Sequence, residues 1–349
     1  MRLSGGAERF FAFMAARSMR RALRKGAASD VQTASLYTEF TPPSFAYDTR
    51  PLVCAGMKRH ARIVSTLLLT VALAACGGRE QSTTSTGGAP ARSDKPLTIK
   101  GSDTMVILTQ RLAEDYMKAH PGEVVQVNGG GTGTGVAAFI NGTTDLAMAS
   151  RPMKDDEKAQ AKARKGADVV EHAVALDGLG VFVNTANPVQ QLTIAQIRDI
   201  YQGKLTNWKD VGGPDTQIIL YGRESSSGTY DYFREHVLAK GDFAPAVQTL
   251  QGTAAIINAV GRDKNGIGYG GIAYAKEARA IAVQAEGAQP VAPSEATVAD
   301  GTYPLSRKLF FYYAQNAPER VTKFAQWAVT PEAQALVTKV GYFPLNTAQ

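Results

Sequence analysis

Three times in this chain an apolar run breaks into glycine and small hydroxyl residues and a helical pattern starts at once. That repeated junction limits the fold more than any other feature. The segments are Gly101-Ser102-Asp103-Thr104, Gly131-Thr132-Gly133-Thr134-Gly135 and Arg223-Glu224-Ser225-Ser226-Ser227-Gly228-Thr229. Strand-to-helix turns of this kind belong to α/β sheets, where strand ends line a crevice.

The surrounding pattern agrees. Leu97 to Ile99 reads as a strand and residues 105–119 as a helix with Leu108, Leu112 and Tyr116 on one stripe, stopped by His120-Pro121-Gly122. Val124 to Val127 is the next strand, a short helix runs through Phe139, and Asp145 to Ala149 is a third strand. This order predicts a mostly parallel sheet with helices on both faces. A second set starts at Val181-Phe182-Val183, with a helix near Ile194–Tyr201, a strand at Ile218–Tyr221 and a helix after Ser227. Leu309 to Tyr313 is a late strand and Pro318 to Val329 a late helix. Size and alternation predict two α/β lobes with a cleft between facing loops.

The junctions point to an anion. A helix N-terminus presents unpaired backbone N–H groups and a partial positive charge. Glycine lets the backbone approach a ligand, and hydroxyls add donors without charge. Arg223 adds a planar fork suited to a tetrahedral oxyanion. Each loop alone has a plainer reading: Ser102 or Thr104 as an N-cap, the glycine run as a tight turn, Arg223 as a surface ion pair. Their joint occurrence at strand–helix junctions favours a shared site.

The charge balance excludes one class of partner. The chain carries 38 Lys/Arg and 31 Asp/Glu, a net charge of +7. Eleven of the bases and four of the acids lie at or before Cys76, which leaves 27 of each beyond it. The basic excess belongs to the leader, so nothing supports nucleic-acid binding by the folded body. The only cysteines are Cys54 and Cys76, which excludes a disulfide or thiolate-metal core further on.

Met57-Lys58-Arg59-His60-Ala61-Arg62 is a cationic start, followed by a largely apolar run from Ile63 to Ala75 that ends at Cys76. That run is shorter than the roughly 20 residues a membrane span needs and has the flanks of a secretory signal. The Leu73-Ala74-Ala75-Cys76 ending resembles the bacterial lipobox, which implies cleavage and diacylation at Cys76. Met57 is then the expected start, with residues 1–56 a gene-start artefact, 57–76 the signal and 77–94 a Gly/Ser/Thr-rich tether.

Other chemistries lack their motifs. No glycine-rich loop ends in Gly-Lys-Ser/Thr, and the 129–135 run meets only the relaxed dinucleotide fingerprint, through Gly133, Gly135 and Ala138. No serine sits in Gly-x-Ser-x-Gly. His120, His172 and His236 show no metal-ligand spacing, so neither a metal nor another cofactor is expected.

Several separate strings resemble one family. They are GSDT at 101–104, GGGTGTGV at 129–136, DLAMASRPMK at 145–154, IRDIYQGKLTNWKDVGG at 197–213, RESSSGTYDYF at 223–233, GIGYGGI at 266–272 and YPLSRKLFFY at 303–312. Over roughly residues 95–346 the chain resembles the phosphate-binding component of the high-affinity phosphate ABC importer. The resemblance implies a two-lobed type II periplasmic-binding-protein fold with the ligand cleft between lobes, here 95–178 with 300–349, and 179–299. It implies no enzyme activity, and a monomer that takes inorganic phosphate to the permease subunits of an ABC importer. It places the anion on Thr104, Thr132, Arg223, Ser227, Gly228 and Thr229, with Ser102 a weaker candidate, and makes Trp208 scaffold.

One position departs from the family pattern. Arg151 stands where many members carry an aspartate that accepts the proton of hydrogen phosphate, so it is expected in the cleft beside Arg223. Two cations would suit sulfate as well as phosphate, which keeps another tetrahedral oxyanion open as the ligand. Asp103 or another nearby carboxylate is the expected replacement acceptor. An extracellular phosphoesterase using Ser227 or Thr104 would need a base or metal that the sequence does not offer.

Overall fold

A computed structural model describes residues 95–345. The expected artefact at 1–56, the 57–76 signal, Cys76 and the 77–94 tether lie outside the described residues.

The first half alternates strand and helix: β1 (Leu97–Gly101), α1 (Val106–Ala119), β2 (Val125–Asn128), α2 (Thr132–Asn141), β3 (Leu146–Ala149) and α3 (Asp155–Lys165). A long strand, β4 (Val169–Val183), leads into the second half. There follow β5 (Gln191–Thr193), α4 (Ile194–Tyr201), β6 (Ile219–Arg223), α5 (Gly228–His236), β7 (Gln248–Leu250) and α6 (Thr253–Arg262). Next come β8 (Gly266–Gly271), β9 (Arg279–Ala280), β10 (Ala282–Gln284) and α7 (Glu295–Ala299). The chain returns through β11 (Ser306–Ala314) and closes with α8 (Glu319–Trp327) and α9 (Pro331–Val340).

One sheet carries both halves, in the order β2-β1-β3-β11-β4-β8-β6-β7, with β9 against β4. β1 runs parallel to β2 and β3, and β6 parallel to β7 and β8. β4 and β11 are the antiparallel exceptions that join the two parallel groups. Along β4, residues 169–178 pair with β11 and residues 179–183 pair with β8. A single strand therefore changes partner between Gly178 and Leu179.

The core divides at the same place. Leu108, Leu112 and Tyr116 of α1 pack with Leu97, Ile99 and Phe324 on one side. Trp208, Tyr201, Phe233 and Tyr269 centre the other. Tyr303 and Leu305 belong to this second cluster, so the return to the first half begins only at Ser306. Trp208 is fully buried and donates its indole N–H to Asn265 O at 2.9 Å. Removing a buried aromatic of that size costs about 3–5 kcal/mol, which fits a scaffold role.

The functional loops all follow the carboxyl ends of strands. Residues 102–104 follow β1, 129–131 follow β2, Ser150 follows β3, and 224–227 follow β6. The glycine run is shaped by Gly131, whose φ of +92° disfavours any L side chain. A Cβ there would lie 2.6 Å from Ser226 O, so the loop of the second half could not come so close.

Candidate anion-binding site

The three junctions meet in one buried cluster. Thr104 and Thr229 share a hydrogen bond between their hydroxyls at 2.8 Å, although 125 residues separate them. Thr132 lies at the start of α2 and Gly228 at the start of α5, and a Cβ on Gly228 would fall onto the Thr132 hydroxyl. Gly133 N donates to Ser226 O at 2.9 Å across the same seam. Thr104, Thr132 and Thr229 are fully buried, and Ser102 and Ser227 nearly so. Two helix N-termini and a set of hydroxyls thus face one another, an arrangement that can surround a small dehydrated anion.

The plainer N-cap reading separates two of these residues. Ser227 is a true N-cap: its Oγ accepts from Thr229 N at 3.1 Å and Tyr230 N at 3.3 Å. Ser102 makes no capping bond and instead donates its hydroxyl to Ser150 Oγ at 2.9 Å. The carbonyls of the first loop are held by tyrosines: Tyr274 donates to Asp103 O at 2.8 Å, and Tyr342 donates to Thr104 O.

Arg223, at the end of β6, is buried and fully engaged. Nη2 donates to Asp103 Oδ2 at 3.0 Å and to Glu224 Oε1 at 2.8 Å, and Nη1 donates to Thr253 Oγ1 at 2.9 Å. Asp103 Oδ1 accepts from Gly130 N at 2.8 Å. Both oxygens of Asp103 therefore take part in aligning Arg223 and the glycine loop.

Arg151 requires a correction. Its side chain turns away from the hydroxyl cluster. Nε donates to Asp231 Oδ2 at 2.8 Å, Nη1 to Glu157 Oε2 at 2.8 Å and to Pro152 O at 2.9 Å, and Nη2 to Glu157 Oε1 at 2.8 Å. Bidentate pairing with one carboxylate and a second on α5 satisfies the fork, so the expected second cation beside Arg223 is not Arg151. Burial alone would raise the Glu157 carboxyl, but hydrogen bonds from Arg151 and Lys154 N outweigh it and hold the group below its ordinary range. A recess of about 510 Å³ opens beside Arg151, lined also by Lys154, Asp231, Arg234 and His236.

Three residues not expected at the site stand in it. Ser150 is fully buried, its Oγ 2.9 Å from Ser102 Oγ and 3.4 Å from Thr132 Oγ1. Arg307 donates to Ser150 O and to Thr229 Oγ1, each at 3.1 Å. Asp177 accepts from Arg307 Nε at 2.9 Å and Nη2 at 2.8 Å. Burial raises the Asp177 carboxyl above its ordinary range against the pull of Arg307. A signal was present for Asp177, a charge among Ala175, Leu176 and Leu179 that demands a partner, but Arg307 stands beside Lys308 ahead of its apolar run and gave none.

Among the described residues, no three His, Cys, Asp or Glu side chains group as metal ligands. None of the described helices is long and apolar enough to cross a membrane.

Fold and site together define a protein that encloses a small oxyanion between two α/β halves, and comparison with known proteins gives the family. Residues 80–332 match the PBP superfamily domain. The phosphate-binding protein PstS of Pseudomonas aeruginosa is 35% identical over 268 residues, covering 71% of this chain and 83% of its own. That of Staphylococcus epidermidis is 34% identical over 292 residues, covering 80% of this chain and 87% of its own. A putative phosphate ABC transporter substrate-binding protein from Clostridium perfringens, solved with bound phosphate, superposes with a TM-score of 0.66 at 29% identity. The match covers 72% of this chain and all of that one. The chain belongs to the PBP superfamily and, within it, to the family of phosphate-binding PstS proteins. Its fold is the two-lobed α/β fold of that superfamily.

Proposed function

We propose that this chain captures inorganic phosphate outside the cytoplasmic membrane and passes it to the permease of an ABC importer. One observation carries the reading. The three strand–helix junctions meet at one buried cluster, in which the Thr104 hydroxyl bonds that of Thr229 and the Thr132 hydroxyl lies against Gly228 and Ser150. The match to phosphate-binding relatives over most of the chain supports the choice of anion.

In this reading Ser102, Thr104, Thr132, Ser227, Gly228 and Thr229 donate to the oxygens, and Arg223 sets the second-half loop with Asp103 and Glu224. The two lobes close on the anion by bending where β4 changes partner, and the closed form docks on the permease. The protein works as a monomer held to the membrane through a lipid on Cys76. It is a carrier and not a catalyst: the Ser227 hydroxyl oxygen accepts two helix N–H groups, and His236, at the far end of α5, hydrogen-bonds its Nδ1 with Tyr232 O. That leaves the serine without the adjacent base a nucleophile needs.

Titration calorimetry on protein freed of carried-over anion tests the proposal. Phosphate binding that sulfate does not displace at equal concentration is the expected result. Preference for sulfate would reassign the ligand, and turnover of a phosphate ester abolished by Ser227→Ala would reassign the class.

A further inference from the structure

The buried pair of Arg307 and Asp177 has no part in the reading given so far, although Arg307 bonds both Ser150 O and Thr229 Oγ1. The two residues stand directly opposite each other, Arg307 on β11 and Asp177 on β4. Their side chains are 3% and 0% exposed. Such a pair is a poor way to stabilise a sheet, because taking both charges out of water offsets most of their attraction. An apolar pair would serve the strands as well. Its position is equally particular. Gly178 is the last β4 residue paired with β11, and from Leu179 onward β4 pairs with β8.

The contacts of Arg307 show what the charge is placed to do. Nε and Nη2 are fixed by Asp177 Oδ2, which sets the plane of the guanidinium. The other N–H groups point at the cluster: Nη1 reaches Ser150 O in the first half, and Nη2 reaches Thr229 Oγ1 in the second. A threonine oxygen that accepts from a guanidinium has its own proton free to donate, and it donates more strongly for being polarised. In the present geometry that proton is shared with Thr104 Oγ1 at 2.8 Å. An oxyanion entering between the two threonines would take both hydroxyl protons and keep Arg307 beside it.

Resting on the phosphate reading of the site, we propose that Arg307, oriented by Asp177, is the second guanidinium of the anion site and contacts the bound oxyanion. Asp177 is a positioning residue. Because Arg307 touches Ser150 on one side of the seam and Thr229 on the other, the same side chain links anion capture to closure of the two lobes.

The test compares phosphate affinities by calorimetry on the intact protein, stripped of ligand. Removing Arg307 alone would leave Asp177 as a lone buried charge, so the informative variant is the double Arg307→Gln, Asp177→Asn, which keeps shape and leaves no net charge. Phosphate affinity is expected to fall about 10- to 100-fold, the worth of a charged hydrogen bond, with the unfolding temperature in the absence of phosphate close to wild type. Unchanged affinity in the folded double variant, with affinity lost in Thr104→Ala, would overturn the role of Arg307 and leave the phosphate reading intact. Absence of phosphate binding in the wild type would remove both. Should the double variant not fold, Arg307→Lys decides, since it keeps the charge opposite Asp177 but not the fork. About tenfold weaker binding with unchanged unfolding temperature supports the proposal, and wild-type affinity overturns it.

Discussion

Two arginine clusters lie along the same seam between the halves, and they are built to opposite ends. The inner one holds Arg223 on Asp103, Glu224 and the Thr253 hydroxyl, and Arg307, paired with Asp177, also keeps contacts with neutral acceptors, Ser150 O and Thr229 Oγ1. The outer one closes Arg151 against two carboxylates and a carbonyl. Asp231, from α5, ties that outer arginine across the seam, and its side chain is 28% exposed. Arg307 can exchange those two neutral contacts for an incoming anion because a hydroxyl and a carbonyl are given up more cheaply than a carboxylate. The outer cluster would have to give up charged partners to do so. A guanidinium beside a cleft is thus no guarantee of a ligand contact; what already fills its fork decides.

The largest effect that separates the two regions should come from Arg223→Gln. It leaves Asp103 and Glu224 facing each other without their common cation. Truncating one member of a buried charge cluster typically costs 2–5 kcal/mol, so phosphate affinity should fall by about 100-fold or more in calorimetry. Gly228→Ala should follow. The added methyl would fall onto Thr132 Oγ1 and within 2.9 Å of Ser150 Oγ, so it obstructs closure at the point of closest approach. An overpacking cost of about 1–3 kcal/mol corresponds to a loss of roughly 5- to 100-fold, with helix α5 itself unharmed by alanine. Small-angle scattering with and without phosphate should show less compaction than in the wild type.

Arg151→Gln probes the outer cluster and should cost no more than about fivefold in phosphate affinity, because its bonds go to Glu157, Asp231 and Pro152 O and none to the hydroxyl cluster. A loss equal to that of Arg223→Gln would break the comparison and return Arg151 to the site. The smallest expected effect is on stability. Glu157 titrates below its ordinary value of 4.5 in the folded state, so its contribution is present above that pH and fades as pH falls through the folded value. Denaturant melts should find Glu157→Gln about 1 kcal/mol less stable than wild type near neutrality. The gap should close in acid below the folded value, and a gap that persisted there would deny the ion pair its role.

The parts legible in the sequence were those fixed by local rules. Glycine and hydroxyl runs at strand ends marked the junctions, and the stripe of Leu108, Leu112 and Tyr116 marked α1, because both signals reside within a dozen residues. β4 was read only from Val181 onward, since Glu171, His172 and Asp177 interrupt its first stretch. That stretch is a strand because β11 pairs with it from more than 120 residues away, which no local pattern encodes. The helix α9 went unread, although Thr330 caps it and Pro331 opens it. At the site, the surroundings of Arg151 and Arg307 were illegible for the same reason. Each lies within a string shared with the family, but whether a guanidinium faces hydroxyls or carboxylates depends on Asp177, Glu157 and Asp231, all distant or on other elements.

A crystal structure of the protein with phosphate tests the central claim most directly. One phosphate should sit at the seam, within hydrogen-bond distance of Thr104, Thr132 and the Ser227–Thr229 turn, with Arg307 against one of its oxygens and Arg151 still on Glu157. Phosphate lodged instead in the outer recess against Arg151 and Lys154, with the threonine pair undisturbed, would contradict it.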